Sequence, residues 1–158
     1  MITQSDMLTM EELKSEAILT QTKLLYNSYQ NMFIDFPIHF SDFEDLAIKI
    51  YFAPFIVASI DNNENPKYNY LNYCAQKAFE INRDNFFNYN YTDSIPEKLL
   101  STSQGFINNL KTSKKLTDYN GMRISKNGNT FRLNNAYVWL INDNAGEYKG
   151  VAWMDSLF

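Results

Sequence analysis

The sequence predicts an α+β fold: a five-stranded antiparallel sheet with helices over one face, preceded by N-terminal helices. Three observations predict it. Residues 119 to 154 carry three strand patterns separated by two tight turns, a pair of short strands lies earlier, and segments of helical spacing stand before and between the two groups. At 158 residues, 45% hydrophobic and 20% charged, the chain is long enough to bury roughly two-thirds of its unfolded surface. Twelve Phe and eleven Tyr supply the core, since each buried ring removes ~150 to 250 Å² from water.

From the N-terminus, Thr9 followed by Glu12 is a capping-box signature, and Leu13, Ala17, Leu24, Leu25 and Met32 recur at helical spacing through about Asn31. The apolar stripe is narrow and the polar face broad, which suits a helix lying outside the main core or pairing with a second copy of itself. A second capping box, Ser41 to Glu44, opens a short helix with Phe43, Leu46, Ala47 and Ile50 that stops near Pro54. Residues 1–50 are therefore expected to form a helical extension, and residues 51–158 the sheet domain.

Phe55 to Ile60 reads as a strand, the turn-rich run Asp61 to Pro66 as its connection, and Lys67 to Leu71 as its hairpin partner. Helical spacing resumes from Asn72 to Phe79, with Ala75, Ala78 and Phe79 on one side, and a further helical turn runs from Arg83 to Phe86. A polar stretch rich in Tyr and Asn leads to Ser94. From Pro96 to about Lys114, the positions of Leu99, Leu100, Phe106, Ile107 and Leu110 suggest one or two helices, bent near Gly105.

In the last third, Asn127-Gly128 between alternating apolar positions signals a two-residue type I′ hairpin, because both central residues of that turn need positive φ. That turn pairs Ile124 with Phe131, Met122 with Leu133, and Arg123 with Arg132. Asp143 to Gly146 reads as a four-residue loop, pairing Ile141 with Tyr148, Trp139 with Gly150, and Tyr137 with Ala152. Side chains alternate across a strand. Met122, Ile124, Phe131, Leu133, Tyr137, Trp139 and Ile141 then share one face, taken as the core, and Arg123, Arg132, Val138, Leu140, Val151 and Trp153 share the other.

The order of strand, strand, helices and three-strand meander resembles the PAS fold. The segments Ala53 to Val57, Tyr68 to Asn72, Tyr119 to Ser125, Phe131 to Ala136, Val138-Trp139 and Tyr148 to Gly150 together resemble the MEKHLA domain, a PAS-related family, over about Leu24 to Asp155. The family occurs as stand-alone bacterial proteins and at the end of plant transcription factors. The resemblance implies a PAS-like sensory or ligand-binding module. Departures lie after Phe87, where the family has a basic run containing Ser and Pro and this chain has Asn88 to Pro96. Asn129 and Thr130 stand where the family tends to carry Arg, and Val151 where it tends to carry Gln.

Composition narrows the function classes. With 14 Lys and Arg against 18 Asp and Glu the net charge is −4, and no basic stripe of the kind phosphate-backbone binding requires is visible, so nucleic acid is not an expected partner. The longest apolar run, near Ile48 to Ile60, is broken by Lys49 and Pro54, so no membrane span is expected. A lone Cys and an N-terminus without signal-peptide character give an expectation of a cytoplasmic protein. His39, the single histidine, has neither a second His nor a Cys cluster with which to build a zinc site or a triad. Cys74 reads as a small buried hydrophobe, and it lacks the Asn-Cys-Arg-Phe-Leu context of flavin-binding photoreceptors. Neither a catalytic set nor a metal site is expected, and a cofactor is not readable.

Two candidate regions remain. On the face taken as core, large rings opposite small residues either are filled by Phe79 or Phe106 or leave a cavity for a small apolar or aromatic metabolite. Its walls would be Phe79, Phe106, Met122, Phe131, Tyr137 and Trp139, with Asn72 and Tyr119 as polar groups. On the other face, Arg123 and Arg132 directly opposite each other either splay into solvent or are bridged by a carboxylate. Val138, Leu140, Val151 and Trp153 beside them form a patch that needs a cover, either the N-terminal helix or a partner subunit, and a homodimer is expected. The reading that follows is a cytoplasmic, non-catalytic sensory or small-molecule-binding module signalling through its sheet face and N-terminal helix. Its rivals are a ligand-free interaction or dimerisation domain and a small α+β enzyme with a cone-like cavity.

Overall fold

The computed structural model describes residues 2–85 and 87–155. Phe86, expected to close a helical turn, and residues 156–158 of the expected sheet domain lie outside them. Thr9 caps α1 (Met10–Leu13) with the expected box, its side chain accepting from Glu12 N while the Glu12 side chain accepts from Thr9 N. The single long helix expected here is broken once, because the Ser15 hydroxyl accepts from Ile18 N and starts a new helix, α2 (Glu16–Met32). Asp42, one residue later than expected, caps α3 (Phe43–Tyr51) through Asp45 N.

The short strands β1 (Val57–Ile60) and β2 (Tyr68–Leu71) pair antiparallel, followed by α4 (Tyr73–Phe79). Short 3-10 turns at Arg83–Asn85, Thr92–Ser94 and Glu97–Leu99 lead into α5 (Leu100–Ser113), which runs unbroken through Gly105. The meander is β3 (Lys115–Ile124), β4 (Thr130–Asn142) and β5 (Tyr148–Met154). These strands form one five-stranded antiparallel sheet in the order β2-β1-β5-β4-β3.

Both hairpin registers differ from expectation, and the consequence is large. The β3–β4 turn has three loop residues: Ser125 N donates to Asn129 O, Gly128 N donates to Ser125 O, and Gly128 carries the positive φ of +89°. Arg123 therefore faces Phe131, Met122 faces Arg132, and Gly121 faces Leu133. A one-residue slip sends every side chain of a strand to the opposite face. The clash of Arg123 with Arg132 does not arise, since Arg132 is exposed and Arg123 is 2% exposed on the other side.

At the second hairpin the pairs are Trp139 with Ala152, Tyr137 with Met154, and Ile141 with Gly150, the register being shifted by an irregularity between Ile141 and Asn142. Val138 pairs with Trp153 and Leu140 with Val151. These four do share a face, as expected, but it is the inner one, covered by α4, the irregular run after it and α5. Being 0 to 3% exposed, they are core residues of this chain and offer no surface to a partner.

The sheet thus has a core on each face. The inner core joins Val138, Leu140, Val151 and Trp153 to Phe79, Tyr68, Tyr91, Ile95 and Leu110. The outer core joins Trp139, Ile141, Ala152 and Met154 to Leu25 and Tyr29 of α2 and to Leu46 and Ile50 of α3. The N-terminal helix does fold back on the sheet, and the face it covers is that of Trp139.

Candidate functional site

The slip in β3 brings Arg123 under the helices. Its Nη1 donates to Met122 O at 3.0 Å and to Tyr119 Oη at 3.3 Å. Its Cζ lies 5.6 Å from the ring centres of Tyr91 and Trp153 and 5.7 Å from that of Tyr119. Tyr91 and Trp153 stack on each other at 5.6 Å with 22° between planes. Gly121 leaves room for this box, because the Tyr119 ring occupies the space a Cβ there would need.

None of the ion pairs among the described residues involves Arg123. A guanidinium is always charged in proteins, and taking one out of water costs several kcal/mol unless its hydrogen bonds and charge are satisfied. Three facing rings return ~0.5 to 2 kcal/mol each and the Tyr68 hydroxyl also acts on the guanidinium, yet Nη2 makes no hydrogen bond of full geometry among the described residues. The same holds for Tyr91 Oη and Trp153 Nε1 beside it, while Trp139 Nε1 is a further unpaired donor on the outer face.

Tyr68, stacked near Tyr89 and Tyr91, exchanges a hydrogen bond with Ser94 Oγ at 2.8 Å, and Ser94 donates in turn to Tyr91 O at 2.6 Å. These bonds fix the run from Tyr89 to Ser94 against the inner face. Burial pushes the phenols of Tyr68 and Tyr91 up, against the opposing pull of Arg123, so both stay protonated at neutral pH.

Tyr91 also forms part of the wall of a cleft of about 520 Å³ between the β1–β2 turn and α5, with Pro66, Thr92, Gln104, Ile107 and Lys111 around it. The α5 wall is thinly held, since Leu110 is the buried residue among its described side chains. Low burial marks the elements that open first.

The residues expected to line one cavity are divided. Phe79, Phe106, Tyr119 and Phe131 lie on the inner side, where Phe106 packs on Tyr119 at 4.8 Å with 30° between planes and Phe79 meets Phe131 edge-on at 4.9 Å. Met122, Tyr137 and Trp139 lie on the outer side. There Tyr29 stands 5.1 Å from Trp139 and Phe33 stands 5.2 Å from Tyr137, so the N-terminal segment fills the space that Phe79 or Phe106 was expected to fill. Asn72 is fully used in structure: its oxygen accepts from Val57 N and Ala75 N, and its amide donates to Ile50 O and Phe55 O. An Asn side chain makes four such bonds at most, which leaves none for a ligand.

Tyr91 and Tyr68 were not singled out in the sequence. The available signal was the alternation of Tyr89, Asn90 and Tyr91, which in the structure is a short bridge from Asn90 to Lys67. Cys74 is half-buried, and burial raises its thiol pKa against a smaller opposing effect of Lys77, which describes an unreactive thiol. Among the described residues no cluster of His, Cys, Asp or Glu could hold a metal, and no helix is long and apolar enough to cross a membrane.

The family model for the MEKHLA domain matches residues 19–158. No curated protein matches the chain. Among solved structures, the PAS domain of a protein from Colwellia psychrerythraea superposes with a TM-score of 0.59 at 8% identity, covering 70% of this chain and 91% of that one. The light-state dimer of the fungal blue-light photoreceptor Vivid gives 0.57 at 11% identity, covering 90% and 96%. A light-oxygen-voltage domain structure concerned with a flavin analogue gives 0.52 at 15% identity, covering 69% and 81%. At these identities the likeness is one of fold.

Proposed function

This chain belongs to the MEKHLA domain family and has the PAS fold, and from that premise we propose that it is a sensory module that binds a small molecule on the inner face of its sheet. The observation that carries the reading is Arg123, a charge buried among rings that has, among the described residues, no carboxylate partner and an unpaired Nη2. A fold keeps such a group at a cost to its stability, and buried polar groups left unsatisfied concentrate at functional sites. Residues 51–158 are the sensing unit and residues 1–50 its helical extension, with α2 as the output element on the outer face. The reading is non-catalytic: the inward-facing titratable groups of the box are phenols that burial keeps protonated and one guanidinium, and no general base stands among them. A cytoplasmic setting fits the lone, half-buried Cys74.

The test is mass spectrometry of the full chain after challenge with a cell extract, first under native and then under denaturing conditions, with hydrogen exchange measured beside it. The expected result is one retained compound and a change in exchange across residues 16–32 when it binds. If nothing is retained and that exchange is unchanged, the second reading takes over, a ligand-free interaction domain. The observation favouring the second reading is the density of the inner core, where Phe79, Tyr68, Tyr89 and Phe131 already touch ring to ring.

A further inference from the structure

Resting on the ligand-binding reading above, we infer that the inner site takes a small organic monocarboxylate with an apolar body, its carboxylate received by Arg123, Tyr91 and Trp153. The chemistry of the unpaired atoms carries this. Arg123 Nη2 and Trp153 Nε1 only donate, and the protonated hydroxyl of Tyr91, able to donate or accept, has its proton free to join them. Three buried groups able to donate and without an acceptor among the described residues, on side chains whose ring centres lie 5.6 Å from the guanidinium carbon, call for an oxyanion. A neutral carbonyl would satisfy part of this set and leave the charge of Arg123 uncompensated.

Charge then selects the monoanion. Arg123 brings a single positive charge into the box, so a monocarboxylate restores neutrality, whereas a phosphate dianion would bury an excess negative charge. The walls select the body. Tyr91, Tyr119 and Trp153 surround the guanidinium, and Phe106 extends the ring surface beyond Tyr119. The approach is the cleft in whose wall Tyr91 stands, where Lys111 Nζ lies 5.1 Å from the Tyr148 ring and Glu64 supplies the opposite charge. The weakly buried α5 is the wall that yields.

The experiment is calorimetry and thermal melting of the full chain with benzoate, with its neutral isostere benzamide and with inorganic phosphate. Benzoate is expected to bind at a single saturable site and raise the melting temperature, and the other two are not. Tyr91→Phe removes one donor with no loss of packing and is expected to weaken benzoate about tenfold. Arg123→Met is expected to weaken it more than about a hundredfold. Should Arg123→Met fail to fold, Tyr91→Phe and the benzamide comparison still decide.

The inference is overturned if millimolar benzoate leaves the wild-type melting temperature unchanged, if benzamide binds as well as benzoate, or if Tyr91→Phe binds benzoate unaltered. A neutral compound retained from extract, with benzoate failing, overturns the carboxylate assignment and leaves the sensor reading standing. Failure of both the extract and benzoate overturns both.

Discussion

At Gly150 the backbone has φ of +145°, and a Cβ built there would overlap the carbonyl oxygen of Ile60 on the neighbouring strand. Both facts require glycine, the first by conformation and the second by space. The atom it would strike is backbone, so no rotamer change relieves the contact. Gly150→Ala must either part β1 from β5 or rebuild the irregular pairing of Ile141 and Asn142 with β5. The expected loss is about 3 kcal/mol or more, seen as a lower urea midpoint, and a loss below about 0.5 kcal/mol would show that the strand pair yields freely. The same residue shows what local reading misses. In sequence, Gly150 looked like a gap opposite Trp139; in the structure its missing side chain makes room for a strand.

Among the elements, the β3–β4 hairpin decides what the site contains, and its register is set from outside the hairpin. Glu80, the left-handed C-cap of α4, accepts from Ser125 Oγ at 2.6 Å, Asn127 Nδ2 at 2.8 Å and Asn129 Nδ2 at 2.6 Å, while Lys126 N donates to Phe79 O. These bonds hold a three-residue loop in place of the two-residue turn that Asn127-Gly128 suggests. The existence and place of the turn were legible in the sequence, because Asn-Gly is a local signal. Its length was not, because the selecting carboxylate lies some forty-five residues earlier. One residue of slip then moved Arg123 from a supposed outer patch into the inner core.

The three hydrogen bonds, Ser125 first, hold the Glu80 carboxyl at about 2, well below its ordinary value of 4.5. A depressed carboxyl stabilises the fold above its unfolded value, and that contribution is lost as pH falls from about 4.5 toward 2. Glu80→Gln is therefore expected to lower the melting temperature at pH 7, with the gap to wild type closing as pH falls through that window. A gap independent of pH would mean that shape, not charge, holds the turn.

Over the whole molecule, the sheet lies between an inner core sealed by α4 and α5 and an outer core sealed by α2 and α3. An apolar face of Val138, Leu140, Val151 and Trp153 in need of a cover was the sequence argument for a homodimer, and α4 and α5 of the same chain supply that cover, while α2 covers the opposite face. The main attachments of α2 are identifiable, and among them Ile18 joins the inner cluster. Leu25 and Tyr29 enter the outer core, Ser28 Oγ donates to Asn142 O at 3.1 Å and accepts from Asn142 N at 3.2 Å, and Gln21 donates to Ser59 Oγ at 3.0 Å. Burying Ile18, Leu25 and Tyr29 contributes roughly 5 to 9 kcal/mol, which is small beside a whole domain core.

To act as an output element, α2 must leave the outer face and draw Ile18 out of the inner cluster while the sheet persists. Leu25→Asp puts a carboxylate into the docked interface, and the cost of burying it favours release of the helix. The expected outcome is rapid amide exchange across residues 16–32, retained protection in β1, β4 and β5, and new binding of a hydrophobic dye to the bared face around Trp139, Ile141 and Met154. If instead protection falls everywhere together, the two cores form one cooperative unit, α2 cannot move alone, and a signal from the inner face has no separate element to release.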